Sequence, residues 1–391
     1  MPRVPALDKV TGMDIGADPS SVRHWNEALV LRAMRGRGEL RISHIAQQTR
    51  LTPATVRQVL QGLEKKRWVV ASEPSIEGRG RPARLFRITL PDAWTLGLDI
   101  GTHTLRAVLL SADLENEQHA EISVDPRRKE PLVGAVREVV AQACTGVPFE
   151  NVWMTTVAMN GSFDEQGRML RSVGTPHWEG KKPLETLAPS LLGQTMLTTD
   201  IHAACWAEHS LGVAQGIDDV MVVRLGRRPS IGLIMGGKVR HGAHDVAGDL
   251  SLHPLLGSGE LPAWARTHQH EANPFASALA AAEAGDEQVL QMIGEHLDGL
   301  APAVTLAAAV IDPELIVISG AMASTTRLFN DKLRAAMQSH LQRPPRLALT
   351  ALDQYAAALG AAHLANREVQ RRLVDEHQGV SPLTKESLTR V

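Results

Sequence analysis

The sequence predicts a small α+β amino-terminal module followed by a larger α/β body. Three observations carry that prediction. With 391 residues the chain is too long for one small core and suits two or three domains. Charge is divided unevenly: residues 21–90 hold 14 Arg and Lys against 5 Glu and no Asp, a balance of +9, whereas the whole chain sums to −2. Finally, helix-period apolar patterns run from His24 to Lys65 and give way to short strand-like runs, and strand patterns then open the body. A hydrophobic content of 43% with 21% charged residues is ordinary for a globular protein. The longest nearly apolar stretch, Leu300 to Ile311, is about half the length that spans a bilayer. Met1 to Ser20 carries no apolar block of the kind that leads a secreted chain. A cytoplasmic protein with no membrane partner is expected. Cys144 and Cys205 form no spaced pair, which argues against a disulfide framework and a Cys-rich zinc site.

The first helix is expected from His24 to Arg35, with Ala28, Leu29, Leu31 and Met34 as its apolar face; Gly36 and Gly38 interrupt it. A short second helix around Ser43 to Thr49 buries Ile42, Ile45 and Ala46. Leu51-Thr52-Pro53-Ala54-Thr55-Val56 then opens a third. The Thr52 hydroxyl can accept from a free first-turn amide, Pro53 sits where a missing N–H costs nothing, and Leu51 and Val56 are spaced as a hydrophobic staple. Val56, Val59, Leu60 and Leu63 form the buried stripe. The opposite face offers Ala54, Thr55, Arg57, Gln58 and Gln61, the small, hydroxyl, amide and guanidinium groups that read base edges in a major groove. Alone, that pattern also fits any amphipathic helix with a polar outer face. The hairpin after it narrows the choice. Trp68-Val69-Val70 and Leu85 to Ile88 read as paired strands, joined by Glu77-Gly78-Arg79-Gly80-Arg81-Pro82-Ala83-Arg84. Glycines keep this loop thin and Arg79, Arg81 and Arg84 arm it, as a wing needs for phosphates or a narrow minor groove. Residues 21–90 are therefore expected to form a winged helix-turn-helix whose partner is double-stranded operator DNA, with Thr52, Ala54, Thr55, Arg57, Gln58, Gln61, Arg79, Arg81 and Arg84 at the interface.

Pro91-Asp92 marks the expected boundary with a body over 93–370, and 371–391 is expected to be a polar tail. Thr95 to Gly101 and Leu105 to Ser111 look like a hairpin of the kind that opens an actin-like ATPase domain. Further segments come in a consistent order: Trp25 to Leu31 ahead of the body, Val157 to Asp164, Trp178 with Pro183-Leu184, Thr199 to Ala204 with Ala207-Glu208, Gly242 to Asp249, and Asp312 to Gly320. On these motifs the chain, from about Val22 to about Asn366, resembles the regulator branch of the ROK family of repressors and sugar kinases. The resemblance implies a two-lobed, ribonuclease H-like α/β body around a sugar cavity. Carried over position by position, it places Asn160, Gly161, Thr199, Asp200, Asp249 and His253 around an effector, with Asp200 where the kinases have their general base.

Departures from the family pattern bear on activity. Asp99-Ile100-Gly101-Thr102-His103-Thr104 keeps the Asp of the first phosphate loop but not its small residues. Gly226-Arg227-Arg228-Pro229-Ser230-Ile231-Gly232 puts two Arg and a Pro where kinases resemble a Gly-Thr-Gly-Ile-Gly-Ala-Gly run whose backbone amides face phosphate. Kinase activity is therefore expected to be lost, Asp200 to be a vestigial base serving as an acceptor for an effector hydroxyl or a helix cap, and no cofactor to be required. The family's structural zinc uses one His and three Cys; the Cys are missing here and His253 is shifted by one position. Although His241, His244, His268 and His270 cluster nearby and imidazoles bind zinc, 16 His in the chain give such clusters by chance, and no metal is expected. Arg227 and Arg228 would suit a phosphorylated effector, but a plain surface pair in a repurposed loop is the commoner reading of two such arginines. The expected protein is a homodimeric or homotetrameric repressor or dual regulator responding to a sugar or sugar phosphate. The alternatives are a bifunctional sugar kinase with a DNA-binding head, and a regulator with a vestigial pocket controlled by a protein partner.

Overall fold

A computed structural model describes residues 19–34, 37–72, 84–89, 93–125, 132–172, 174–225, 229–249, 260–268, 274–319 and 326–375. The chain divides into two units, Met1–Asp92 with Arg367–Val391, and Ala93–Asn366.

In the first unit, α1 (Pro19–Met34) precedes a two-residue strand β1 (Leu40–Arg41), α2 (Ile42–Thr49) and α3 (Pro53–Lys65); β2 (Val69–Ala71) and β3 (Leu85–Ile88) follow. The strands form an antiparallel sheet in the order β1-β3-β2, with Leu40 opposite Phe86 and Val69 opposite Ile88. This is the three-helix, winged-sheet architecture that the pattern predicts, with α1 beginning earlier than expected. The face of α1 that is buried also differs: Val30, Leu31 and Met34 are buried and Ala28 and Leu29 only half-buried. Glu27 shares the buried face at 1% exposure because Lys66 Nζ, just past α3, lies 2.8 and 2.9 Å from its two oxygens. A buried carboxylate is tolerated only with such pairing. Ile45, Val56, Leu60, Leu63, Trp68 and Phe86 fill the rest of this core.

The second unit contains β4 (Trp94–Ile100), β5 (Thr104–Ser111), β6 (Glu117–Ser123), α4 (Val133–Ala143), β7 (Val152–Met159), the small hairpin β8 (Ser162–Phe163) and β9 (Met169–Arg171), α5 (Pro183–Leu187), β10 (Gln194–Thr199) and α6 (Asp200–Ser210). It continues with β11 (Val220–Arg224), β12 (Ser230–Met235), β13 (Lys238–Val239), α7 (Glu260–Thr267), α8 (Pro274–Glu283), α9 (Glu287–Ile311), β14 (Leu315–Ser319), α10 (Thr326–His340), β15 (Arg346–Leu349) and the start of α11 (Ala356–Asp375), whose residues from Arg367 onward belong to the first unit. The last helix thus includes residues 371–375, where the sequence suggested a tail.

Two five-stranded sheets organise this unit, in the orders β6-β5-β4-β7-β10 and β13-β12-β11-β14-β15. In each, three strands run as an antiparallel meander and two more add in parallel to its first strand. The same topology twice is the two-lobed, ribonuclease H-like body. Every residue of β7 and β14 is buried, as expected of parallel strands covered on both faces. The helices that close each lobe exchange sheets. Ile201 and Cys205 of α6, which succeeds the first sheet in the chain, pack with Val220, Val222, Ile234 and Val317 of the second. Ala358, Leu359 and Ala362 of α11, which succeeds the second sheet, pack with Val108 and Leu110 of the first. Glycine makes the close approach possible: a Cβ on Gly97 of β4 would lie 1.9 Å from the Ala358 carbonyl oxygen, and one on Gly360 would lie 1.9 Å from that of Ala203.

Candidate functional site

In the first unit, α3 separates its two chemistries cleanly. Val56, Val59, Leu60 and Leu63 are buried, while Thr52, Ala54, Arg57, Gln58 and Gln61 are exposed. The helix start is held as the sequence suggests, with Thr52 Oγ1 accepting from Thr55 N at 3.1 Å and Pro53 in the first turn. Thr55 is half-buried and its hydroxyl lies 2.8 Å from that of Thr52, so this hydroxyl belongs first to the cap. Between α2 and α3 the chain turns at Arg50, which takes a left-handed conformation with φ 57°. Arg84 is exposed beside β3, with one guanidinium nitrogen 4.0 Å from Glu64. Arg79 and Arg81 lie outside the described residues.

In the second unit, Asn160, Gly161, Thr199, Asp200 and Asp249 line one cavity together with Ile201, His202, Ser230, Asp245, Val246 and Ala247. Five of the six residues expected around an effector thus meet; His253 lies outside the described residues, as do Arg227 and Arg228. Topology explains the meeting. Asn160 comes just after the carboxyl end of β7, Thr199 ends its parallel neighbour β10, and Asp200 opens α6, so the cavity sits at strand ends, where crevices of α/β sheets form. Gly161 adopts φ 141°, and a Cβ there would press on the Arg171 carbonyl oxygen at 2.7 Å. The cap of α6 is Thr199, whose Oγ1 accepts from His202 N at 3.2 Å. Asp200 is the first helical residue instead, with Oδ1 accepting from Ile201 N at 2.9 Å.

Asp200 has a partner that sequence patterns did not single out. The Arg224 guanidinium, at the end of β11, donates to Asp200 Oδ2 in a close ion pair. Asp99, near the end of β4 and 3% exposed, completes the charged group, with Arg106 Nη1 4.0 Å from its carboxylate. Burial pushes the Asp99 carboxyl up to about 6; Arg224 and Arg106 oppose that rise and Asp200 adds to it. The two hairpins β4–β5 and β11–β12 are topologically equivalent in their lobes; the first delivers Asp99 and Arg106 to this group and the second delivers Arg224.

Beside Asp200 lies His202, 2% exposed, with neither ring nitrogen hydrogen-bonded. Its ring meets that of His241 edge-on at 4.2 Å between centroids. Asp245 Oδ1 is 2.8 Å from His241 Nδ1 and 3.7 Å from His202 Nδ1. Burial first, and the neighbouring His241 second, pull the His202 pKa down to about 4.

Comparison with known proteins agrees with this architecture. The sequence profile described as "ROK family" matches residues 95–255 and 257–368. The "Bifunctional enzyme NanE/NanK" of Brucella melitensis is 31% identical over 245 residues, which are 54% of this chain and 46% of that protein, so the chain spans about half the length of that relative. The "DNA-binding transcriptional dual regulator NagC" of Escherichia coli is 21% identical over 91% of this chain and 96% of its own. Among solved structures, a ROK family transcriptional regulator described as a homologue of the E. coli MLC protein superposes with a TM-score of 0.67 at 16% identity, covering 90% of this chain and 98% of its own, a likeness of fold that includes the amino-terminal unit. With both lobes, the paired sheets and the family profile in agreement, the chain belongs to the ROK family.

Proposed function

We propose that this protein is a transcriptional regulator that binds operator DNA through its amino-terminal unit, senses a sugar or sugar derivative in the cavity at Asp200, and does not transfer phosphoryl groups. The observation that carries this reading is the exposed face of α3, where Ala54, Arg57, Gln58 and Gln61 stand opposite the buried Val56, Val59, Leu60 and Leu63. A helix presented in this way by a winged sheet suits the major groove, with Arg57 and Gln58 reading base edges. Thr52, Thr55 and Arg84, with Arg79 and Arg81 of the wing loop, would hold the backbone or minor groove. Similarity to NagC over nearly the whole length of both chains supports the same reading. As a homo-oligomer each subunit would supply one half-site, so operator spacing is set by subunit geometry. Closure of the two lobes on a ligand is the step that would bias DNA affinity, since a ligand shifts an equilibrium only through its differential affinity for the two states. Incubating the purified chain with fragments of its own genome at low salt, and then sequencing what it retains, tests the proposal. Enrichment of discrete sites with a shared inverted repeat is the expected result, and retention without any enriched sequence contradicts it.

The second reading, a sugar kinase with a DNA-binding head, draws on the retention of both Asp99 and Asp200 at the cavity end of the body. Arg224 counts against it. A general base must accept a proton from substrate, and here a guanidinium already occupies one Asp200 oxygen. ATP turnover over a panel of hexoses separates the readings: none is expected, and turnover abolished by Asp200→Asn would establish the kinase.

A further inference from the structure

We propose that His202, His241 and Asp245 form a binding site for a divalent transition-metal ion of the zinc class, opening onto the cavity that contains Asp200. The three residues bring one ligand atom each to within 4.8 Å of the others, and theirs is the one such group found among the described residues. Zinc holds nitrogen and oxygen donors at about 2.0–2.2 Å in a tetrahedron, which sets neighbouring ligand atoms about 3.3 Å apart. The observed separations from Asp245 Oδ1, 2.8 Å to His241 Nδ1 and 3.7 Å to His202 Nδ1, straddle that value. Small side-chain rotations would complete the geometry.

The second observation is independent of the spacing. His202 is 2% exposed and both its ring nitrogens lack a hydrogen-bond partner. A buried polar group left unsatisfied forfeits its hydration without replacement, so native structures rarely keep one without a purpose. A metal ion gives one of these nitrogens a strong partner. The backbone delivers the ligands from two firm supports: His202 lies in the first turn of α6 under the Thr199 cap, and the loop after β13 is closed by Ala247 N donating to the His241 carbonyl at 3.1 Å.

Donor chemistry selects the ion. Two imidazoles and one carboxylate suit zinc, cobalt, nickel or copper and are poor for magnesium or calcium, which take oxygen. Three protein ligands leave a coordination position open, as in zinc sites that exchange water for another ligand. His202 and Asp245 both line the cavity, so that position is available to an oxygen of whatever the cavity holds. These positions differ from the His and three Cys of the family's zinc pattern. The site also stands whether or not the protein binds DNA or a sugar.

Metal titration of the full chain, stripped with chelator beforehand, tests the proposal. Cobalt(II) is expected to bind with a stoichiometry of one per chain and to develop a visible ligand-field band that zinc(II) abolishes. His241→Ala and Asp245→Asn, which change residues that are exposed and half-buried respectively, are each expected to weaken binding by at least about tenfold while the far-ultraviolet circular dichroism stays unchanged. Absence of stoichiometric binding to the unmodified chain overturns the site. So does undiminished binding in both variants, which would assign the metal to other histidines.

Discussion

Asp99 is a carboxylate placed where its charge is costly. Its pKa is raised to about 6 by burial, against 3.8 for the same side chain in the open, and the nearby Arg224 and Arg106 only partly compensate. As pH rises from about 4 the unfolded chain loses this proton first and is favoured. Stability should therefore fall between pH 4 and 6 and level off above, where both states are ionised. Two pKa units correspond to a penalty on the order of 3 kcal/mol. Asp99→Asn removes the titration, so the variant should gain stability over the natural chain as pH increases through this window. Urea unfolding of both proteins at pH 4, 5, 6 and 7 measures the difference, and parallel profiles would show that Asp99 does not bear the cost assigned to it. The position of Asp99 was legible in sequence because it opens a recognisable loop. The Arg224 partner of Asp200 was not, since one arginine at the end of an apolar strand looks like any strand terminus until the second sheet is folded against α6. Likewise, His202 and His241 come together only through tertiary structure.

At the level of elements, α3 was the most readable part of the chain. Leu51, Thr52 and Pro53 mark its start by three separate physical devices, and its stripe of Val56, Val59, Leu60 and Leu63 is buried as the spacing predicts. Thr52→Ala removes the acceptor for Thr55 N and should cost about 1 kcal/mol in thermal or urea unfolding. A loss below the error of the measurement would mean that water replaces the cap. Less readable was β1, because two residues carry no alternation and are held by pairing with β3. The exchange of α6 and α11 between sheets was also hidden. Helix α6 is buried around most of its surface, from Asp200 through Glu208, so it shows no single apolar stripe to assign. Glycine records this packing more directly. A methyl group on Gly97 would stand 1.9 Å from the Ala358 oxygen and 2.3 Å from the Ala362 nitrogen, both backbone atoms that cannot rotate away. Gly97→Ala should force β4 and α11 apart and destabilise the body by about 3 kcal/mol or more. Unchanged unfolding would refute the close approach.

Across the whole molecule, a basic amino-terminal segment is joined to an acidic remainder, with +9 over residues 21–90 against −2 for the entire chain. Such a distribution favours a polyanion at one end and should make association strongly dependent on ionic strength, each neutralised phosphate contributing about 0.9 to the slope of log affinity against log salt. The two-lobed body was recognisable from ordered motifs that are weak singly, whereas its ligand chemistry depends on contacts that only the folded sheets create. Charge alone cannot distinguish a regulator from a protein that adheres to any duplex. Sequence discrimination by α3 would. The decisive measurement is the ratio of affinities for an enriched genomic site and a scrambled duplex of equal length, taken by fluorescence anisotropy for the natural chain and for Arg57→Ala with Gln58→Ala. The natural chain should prefer its site, and the double variant should lose about 1–3 kcal/mol of that preference per lost base contact while keeping its salt-dependent binding to scrambled DNA. An unchanged ratio in the double variant, or none in the natural chain, would contradict the assignment of α3 as the reading element.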